Sequence, residues 1–140
     1  MFSTLGMIRG AENRLLALKH LFRILKPNAR LVLHVHNHWF HLFDPGGIRW
    51  VIADLFRVIA NKSLDLGDKY SDYRGIPRVY LHSFRRREFR DVLISSGFEI
   101  LRWQPLNSDQ SKPLPCPKFL ETIRASGWLV VVRKPLVSAP

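Results

Sequence analysis

The stretch RILKPNARLVLHVHN, residues 23–37, decides how the rest of the sequence is interpreted. A helix should end before Pro27, because a proline ring disfavours α geometry at the residue that precedes it. The largely apolar run 31–35 is short and contains β-branched side chains, a pattern that favours an interior strand of a parallel sheet. Ligands in open α/β sheets bind beyond the carboxyl ends of the strands. The pattern therefore predicts a site at residues 36–38.

The segment before this strand has the spacing of an amphipathic helix. Its polar side carries Arg14 and most of the other charged residues of the segment. Apolar residues recur every three or four positions along residues 11–25, at Leu15, Leu18, Phe22 and Leu25. We expect this helix to pack on the sheet that contains strand 31–35.

A second amphipathic pattern covers residues 46–60, after the turn-forming sequence DPGG at 44–47. An apolar helix face of this kind is most often buried in a protein core. A basic amphipathic helix that carries Trp50 and Phe56 also suits a membrane surface, and the sequence leaves this alternative open. The apolar positions of the segment are Ile48, Val51, Ile52, Leu55, Val58 and Ile59.

The remaining segments complete an α/β pattern in a single domain, residues 1–140. Alternating polarity predicts a short strand at 78–84, and helical spacing predicts a helix at 85–96. The last two strands are predicted at 98–104 and 128–133. Loops or insertions are predicted in the polar segments 61–75 and 105–127.

The passage LKPNARLVLHV, residues 25–35, resembles the entry into the fifth strand of class I S-adenosylmethionine-dependent methyltransferases, where the usual form is close to L-K-P-G-G-x-L-hydrophobic. Asn28 and Ala29 stand where the family usually has two glycines. Three further passages resemble the loop after the fourth strand, the late helix with the sixth strand, and the closing strand: MFSTLGMI (1–8), YLHSFRRREFRDVLISSGFEILRW (80–103) and SGWLVVVRKP (126–135). The resemblance covers nearly all of this chain but only the second half of that fold.

The resemblance implies an α/β fold with part of a Rossmann-like methyltransferase sheet, about three main strands with helices on both faces. It implies that the last strand runs antiparallel and inserts between the strands at 31–35 and 98–104. It also implies that the helix at 46–60 covers one face of the sheet, and that the loop before this helix borders the substrate. The implied activity is methyl transfer from S-adenosylmethionine to an acceptor that these residues do not identify.

Candidate site residues follow from the strand ends and from the resemblance. Imidazole exchanges a proton near neutral pH, so His36 and His38 are the candidate catalytic bases. By resemblance, the cofactor-binding residues that border the methyl donor are Ser3, Thr4 and Leu5. The residues expected to contact the acceptor substrate are Asn37 and Trp39, with Tyr80 and His82 in second rank.

Histidines are concentrated at positions 34, 36, 38 and 41. Alternation along a strand would place His34, His36 and His38 on one side, a geometry that can hold Zn²⁺. No carboxylate or cysteine nearby in the sequence completes such a set, so we expect no metal site there.

No two glycines of the sequence have the G-x-G spacing that a nucleotide-type cofactor loop requires. The acidic residue that holds the ribose hydroxyls in the methyltransferase family also has no counterpart. We therefore expect most of the cofactor site to be missing, as in a truncated product, one part of a split enzyme or a degenerate partner subunit. The sequence leaves open whether the chain is an enzyme by itself. The expected partners are a complementing N-terminal half or a second copy of the chain.

The formal net charge is +11, from 22 Lys and Arg against 11 Asp and Glu. Such an excess favours polyanionic partners, and basic residues are densest between positions 69 and 90. The alternative function is therefore a non-catalytic basic module that binds nucleic acid or an acidic protein. A single cysteine excludes an internal disulfide framework, and the sequence has neither a transmembrane-length apolar run nor a signal-peptide pattern. The expected location is the cytoplasm.

Overall fold

The computed structural model describes residues 3–61, 64–73, 75–117 and 119–136. Within these residues the helices are α1 (Ala11–Ile24), α2 (Gly47–Ala60), α3 (Arg86–Ser95) and α4 (Glu121–Arg124). The strands are β1 (Arg30–His36), β2 (Asp68–Tyr73), β3 (Ile76–His82), β4 (Glu99–Leu106) and β5 (Gly127–Arg133). Two 3-10 helices, Thr4–Met7 and His38–Phe43, precede α1 and follow β1.

The main sheet has three strands in the order β1-β5-β4. The last strand, β5, lies in the centre and is antiparallel to both neighbours, so that β1 and β4 run parallel to each other. Trp128 of β5 pairs with Val35 on one side and with Pro105 on the other. The predicted α/β class and the predicted insertion of an antiparallel last strand between the other two are confirmed.

One face of this sheet forms the hydrophobic core. Alternate residues of β1 and β5 point to it, because successive side chains of a strand face opposite sides. Helices α1 and α3 cover this face with side chains that are themselves fully buried. The core residues from these four elements are Leu18, Leu33, Val35, Phe89, Leu93, Trp128, Val130 and Val132.

The opposite face of the sheet carries the other set of alternating side chains. His34 lies opposite Leu129, and Gln104 flanks the same residue from β4. The loop after β4 passes beside this face and leaves a cavity of about 420 Å³ between loop and sheet. Strand and loop residues line this cavity, among them His34, Gln110 and Val131.

The segment 61–75, predicted as a loop or insertion, contains β2, which pairs antiparallel with β3 in a separate two-stranded sheet. The pairing places Tyr70 opposite Tyr80 and Asp68 opposite His82. The polar composition of β2 hides the strand from a pattern search, because a hairpin that is largely exposed needs no apolar alternation. The hairpin meets β1 just beyond β3, where the Phe84 amide donates to the His36 carbonyl at 2.9 Å.

Helix α2 does not bury the apolar face that its sequence pattern predicts as core. Its fully buried residues are Gly47 and Asp54. Five large apolar side chains are instead half or more exposed: Ile48, Ile52, Leu55, Phe56 and Ile59. No described helix is long and apolar enough to cross a membrane.

Replacing Trp128 by Ala should lower the free energy of unfolding by about 3–5 kcal/mol, since it leaves a cavity at the centre of the middle strand. Leu129→Ala is the matched control, because Leu129 is the next residue of β5 and lies half-buried on the other face. Urea denaturation followed by circular dichroism measures both variants. Equal losses for the two would contradict the assignment of the core to one face.

Candidate functional site

The carboxyl end of β1 meets the residue that precedes the first 3-10 helix. The Ser3 amide donates to the His34 carbonyl at 2.9 Å, and Ser3 adopts a left-handed φ of 52°. The Ser3 hydroxyl lies 3.0 Å from His34 Nδ1 and 2.9 Å from His36 Nε2. A residue predicted for the cofactor side thus contacts a residue predicted for catalysis.

Gln110, from the loop after β4, completes this polar cluster on the open face of the sheet. Its amide nitrogen lies 3.0 Å from His36 Nδ1. With this nitrogen as the donor, the neutral His36 ring carries its proton on Nε2 and donates to the Ser3 hydroxyl, which in turn donates to His34 Nδ1. No sequence pattern indicated Gln110, because it lies in an irregular loop far along the chain.

Burial lowers the pKa of His36 from 6.5 to about 4, and the neighbouring His34 and His41 act in the same direction. The ring is therefore neutral at pH 7. A neutral imidazole offers one donor and one acceptor, which suits it to orient a hydroxyl or an amine. With a conjugate acid of such low pKa it is a weak base in this state of the chain.

Thr4 and Leu5, the other two residues predicted for the cofactor side, differ in their exposure to solvent. Thr4 is exposed, whereas Leu5 is 1% exposed and belongs to the hydrophobic core. The backbone at Gly6 packs so closely on β3 that an added Cβ would lie 2.7 Å from the His82 carbonyl oxygen. This contact fixes the first 3-10 helix between β3 and the core, with Ser3 and Thr4 at its outer end.

His38 lies apart from His34 and His36, although strand alternation predicted all three on one side. The strand ends at His36, and His38 begins the second 3-10 helix, where its ring packs against Trp39 and Trp50 with centroids 5.0 and 5.6 Å away. The side chain is fully buried, and neither ring nitrogen has a hydrogen-bond partner within the described part of the chain. Burial lowers its pKa to about 4 and outweighs the opposing effect of Asp54.

Asn37 is buried and its side chain is fully engaged with the chain itself. Its amide nitrogen donates to the Thr122 and Ala125 carbonyls at 2.6 and 2.7 Å. Its oxygen accepts the Trp39 amide at 3.1 Å and so caps the second 3-10 helix. A substrate could contact this side chain only by replacing one of these bonds. Asn37 therefore ties the end of β1 to the segment before β5.

Tyr80 and His82 belong to a separate, largely buried ionic cluster behind the first 3-10 helix. His82 Nδ1 lies 2.7 Å from Asp68, and His82 Nε2 lies 2.7 Å from Glu88. The Tyr80 hydroxyl donates to the same Asp68 oxygen at 2.7 Å. Arg14, which is 2% exposed, donates to Asp65 at 2.7 Å and lies 3.8 Å from Glu88.

The charges of this cluster fix its protonation. Burial alone would lower the pKa of His82, but the hydrogen bonds to Asp68 and Glu88 outweigh it and raise the pKa above 6.5. Burial would likewise raise the pKa of both carboxyl groups, and the bonds with His82 instead hold them below their usual range. Ligand atoms of Asp65, Asp68 and His82 lie within 4.8 Å of one another, as in a cation site. Here Arg14 already supplies positive charge, and His82 adds to it when its imidazole is protonated.

Arg14 was predicted on the polar side of its helix, and the structure corrects this. Arg14 lies four residues before Leu18, so the two side chains share one face of α1. A helical wheel would therefore have placed this cation at the buried face. A buried cation requires a buried anion. That rule would have pointed to a carboxylate partner, although not to Asp65 or Glu88 in particular.

Trp39 lies at the wall of a cleft of about 1030 Å³ at the start of α3. Arg86 is partly held there, 3.7 Å from Glu121 and with its guanidinium 5.5 Å from the Trp103 ring centre. The residues that line this arginine cleft are Trp39, Arg85, Arg86, Arg87, Glu88, Arg90, Asp91 and Thr122.

No protein-family model matches the sequence, and no curated protein matches it. Solved structures do match. A SAM-dependent methyltransferase from Methanosarcina mazei superposes with a TM-score of 0.70 at 20% identity, covering 97% of this chain and 57% of that chain. An S-adenosylmethionine-dependent methyltransferase from Clostridium acetobutylicum gives a TM-score of 0.53 at 9% identity, with 96% and 56% covered.

These similarities show that the chain has the fold of part of a methyltransferase, as the sequence resemblance implied. The chain spans just over half the length of the solved structures that it matches. At sequence identities this low, structural similarity shows a shared fold but not a shared activity.

The burial of His38 predicts a loss of stability in mild acid. Unfolded His38 binds a proton near pH 6.5, whereas folded His38 does so only near pH 4. The unfolded chain therefore binds more protons between these values, and stability falls as the pH drops through this window by about 3 kcal/mol for this residue. In urea denaturation, His38→Phe should remove that share of the pH dependence, and the exposed His20→Phe should not. A pH dependence unaltered by His38→Phe would contradict the burial of a neutral His38.

Proposed function

We propose that this chain is the acceptor-side part of an S-adenosylmethionine-dependent methyltransferase, active when a further segment supplies the glycine-rich cofactor loop. The observation that carries the proposal is the contact of Ser3 with His36 at the carboxyl end of β1, in a chain with part of a methyltransferase fold. Ligands of open α/β sheets bind at this edge. The predicted donor-side and acceptor-side residues therefore border one place.

The residues of this chain fit one end of the cofactor. Ser3 and Thr4 present hydroxyl groups at the outer end of the first 3-10 helix, whereas Leu5 supports them from the core. The described residues contain no glycine-rich turn of G-x-G spacing that would let the backbone approach the rest of the cofactor. S-adenosylmethionine, when bound, supplies the electrophilic methyl group.

His36 has a definite task in this proposal. Methyl transfer depends chiefly on holding the acceptor atom in line with the methyl group, and a base is needed only where the acceptor loses a proton. The neutral His36 ring, held by Ser3 and Gln110, can accept a hydrogen bond from an acceptor group that replaces one of these partners. His38 supports this end of β1 from the other side, as a buried ring between Trp39 and Trp50. The predicted catalytic role of His38 thus becomes a positioning role in the proposal.

A complementing segment has a suitable place to pair. In the described residues β1 is an edge strand of the main sheet, with β5 on its other side. Edge strands offer backbone groups to a further strand. This chain covers 57% and 56% of the two solved methyltransferases, so each of them has a further portion that this chain does not match. We propose that this portion has a counterpart that completes the sheet beside β1.

The isolated chain should bind S-adenosylmethionine weakly, with a dissociation constant on the order of millimolar, because much of the pocket is absent. Titration followed by ¹H–¹⁵N NMR should shift the amide signals of residues 3–8 and 36–39. Ser3→Ala should reduce these shifts, and Ser111→Ala, in the loop after β4, should not. Shifts confined to other residues would contradict the proposed site, and micromolar binding would contradict its incompleteness.

A second candidate function is binding of single-stranded nucleic acid, and the arginine cleft favours it. Cations at the start of a helix are unfavourable by about 0.3–1 kcal/mol each, because the helix dipole is positive there. Arg85, Arg86 and Arg87 nevertheless cluster at the start of α3. Trp39 beside them offers a ring on which a base can stack. Phosphates and bases of one ligand would satisfy both features.

Replacing Arg85, Arg86 and Arg87 by Ala should weaken binding of a single-stranded RNA and flatten its salt dependence. Each lost phosphate contact removes a slope of roughly 0.7 in log–log form for single strands. Fluorescence anisotropy at several salt concentrations measures this. The charge-matched control replaces the exposed Lys19, Arg23 and Lys26. Equal slopes for the two triple variants would remove this candidate.

A further inference from the structure

We propose that the outward face of α2 docks on an anionic lipid bilayer surface. The face consists of Ile48, Ile52, Leu55, Phe56 and Ile59, with exposed fractions of 61, 51, 50, 66 and 66%. At 3.6 residues per turn these positions fall within an arc of about 100°. The arc is the apolar stripe of an amphipathic helix, turned away from the protein.

The inner side of α2 carries the buried Asp54, and the contacts of this residue hold the helix in its orientation. The buried Asp54 carboxylate accepts a hydrogen bond from the Gly67 amide at 2.8 Å and forms an ion pair with Arg57. Gly67 has a φ of +103°, and an added Cβ would lie 2.2 Å from the Ser83 carbonyl oxygen, so this turn is tightly fixed. Rotating α2 to bury its apolar stripe would carry Asp54 away from these partners and leave the buried Gly67 amide without its acceptor.

The chemistry around the stripe fits a negatively charged lipid surface. Asp54 is the only acidic residue of α2, and it lies on the inner side. Arg49 is exposed at the edge of the stripe, and the whole chain carries a net charge of +11. A helix of 14 residues is about 21 Å long, which suits a helix that lies in the plane of the interface.

Charge also separates this occupant from a second copy of the chain. A symmetric contact through the stripe would place an Arg49 of each copy at the contact. It would also bring together two chains of the same large positive charge. Anionic lipid supplies both the apolar phase and the opposite charge.

Vesicle co-sedimentation of the full 140-residue chain tests the proposal. Vesicles of phosphatidylcholine with about one third phosphatidylglycerol should bind it, and pure phosphatidylcholine should bind it much less. Ile52→Glu with Leu55→Glu should weaken binding to the anionic vesicles by about tenfold or more. The matched control is Leu16→Glu with Ile94→Glu, two helical positions that are 52 and 50% exposed. The control should retain binding, because it adds the same two charges elsewhere.

Three outcomes would overturn the proposal. Equal losses for the two double variants would assign the binding to net charge alone. Absence of vesicle binding, with self-association that Ile52→Glu and Leu55→Glu abolish in analytical ultracentrifugation, would assign the stripe to a second copy. Equal binding to neutral and anionic vesicles would remove the role of Arg49 and of the net positive charge. Circular dichroism and thermal unfolding of each variant establish that the measured chains are folded.

Discussion

The buried ionic cluster around His82 joins the β2–β3 hairpin to the two helices that cover the core. It joins Arg14 of α1, Asp68 of β2, His82 of β3 and Glu88 of α3. Each charge depends on the others, because an unpaired charge in a protein interior costs several kcal/mol. The cluster therefore fixes where the β2–β3 hairpin lies relative to the two helices that cover the core. The first 3-10 helix is held between them, with the Arg14 guanidinium donating to the Ile8 carbonyl at 3.2 Å.

The position of the candidate site follows from this arrangement. Gly6 packs on the His82 backbone, and this contact leaves Ser3 beside the end of β1. On the other side, Phe84 follows the hairpin and forms two backbone hydrogen bonds with the end of β1. Its amide donates to the His36 carbonyl and its carbonyl accepts the His38 amide, each at 2.9 Å. Two segments from distant parts of the sequence thus hold the last residues of β1. Methyl transfer needs such rigid placement more than it needs a strong base, and the neutral His36 is consistent with that requirement.

A buried carboxylate has a similar effect on α2. Asp54 binds the helix to the turn before β2 through its least hydrophobic side, and the more hydrophobic side consequently faces outward. Amphipathic spacing alone is compatible with both orientations. A pattern search assumes that the apolar face is the inner one, because hydrophobic burial usually exceeds all other terms. Here the bonds of Asp54 with Gly67 and Arg57 oppose it, and the helix keeps Asp54 inside.

The sequence by itself determined the elements whose signal is local. Proline before a β-branched run predicted β1, an unbroken apolar run predicted β5, and helical spacing placed α1 and α3 within one or two residues of their bounds. The resemblance to class I methyltransferases also implied the central antiparallel β5, and the rule for strand ends predicted a site at residues 36–38. Tertiary structure decided the rest. The polar strand β2, the burial of Arg14, the outward face of α2 and the separation of His38 and His82 from His36 all depend on charges and backbone groups distant in sequence. Their energies arise only when those groups meet, so no local pattern contains them.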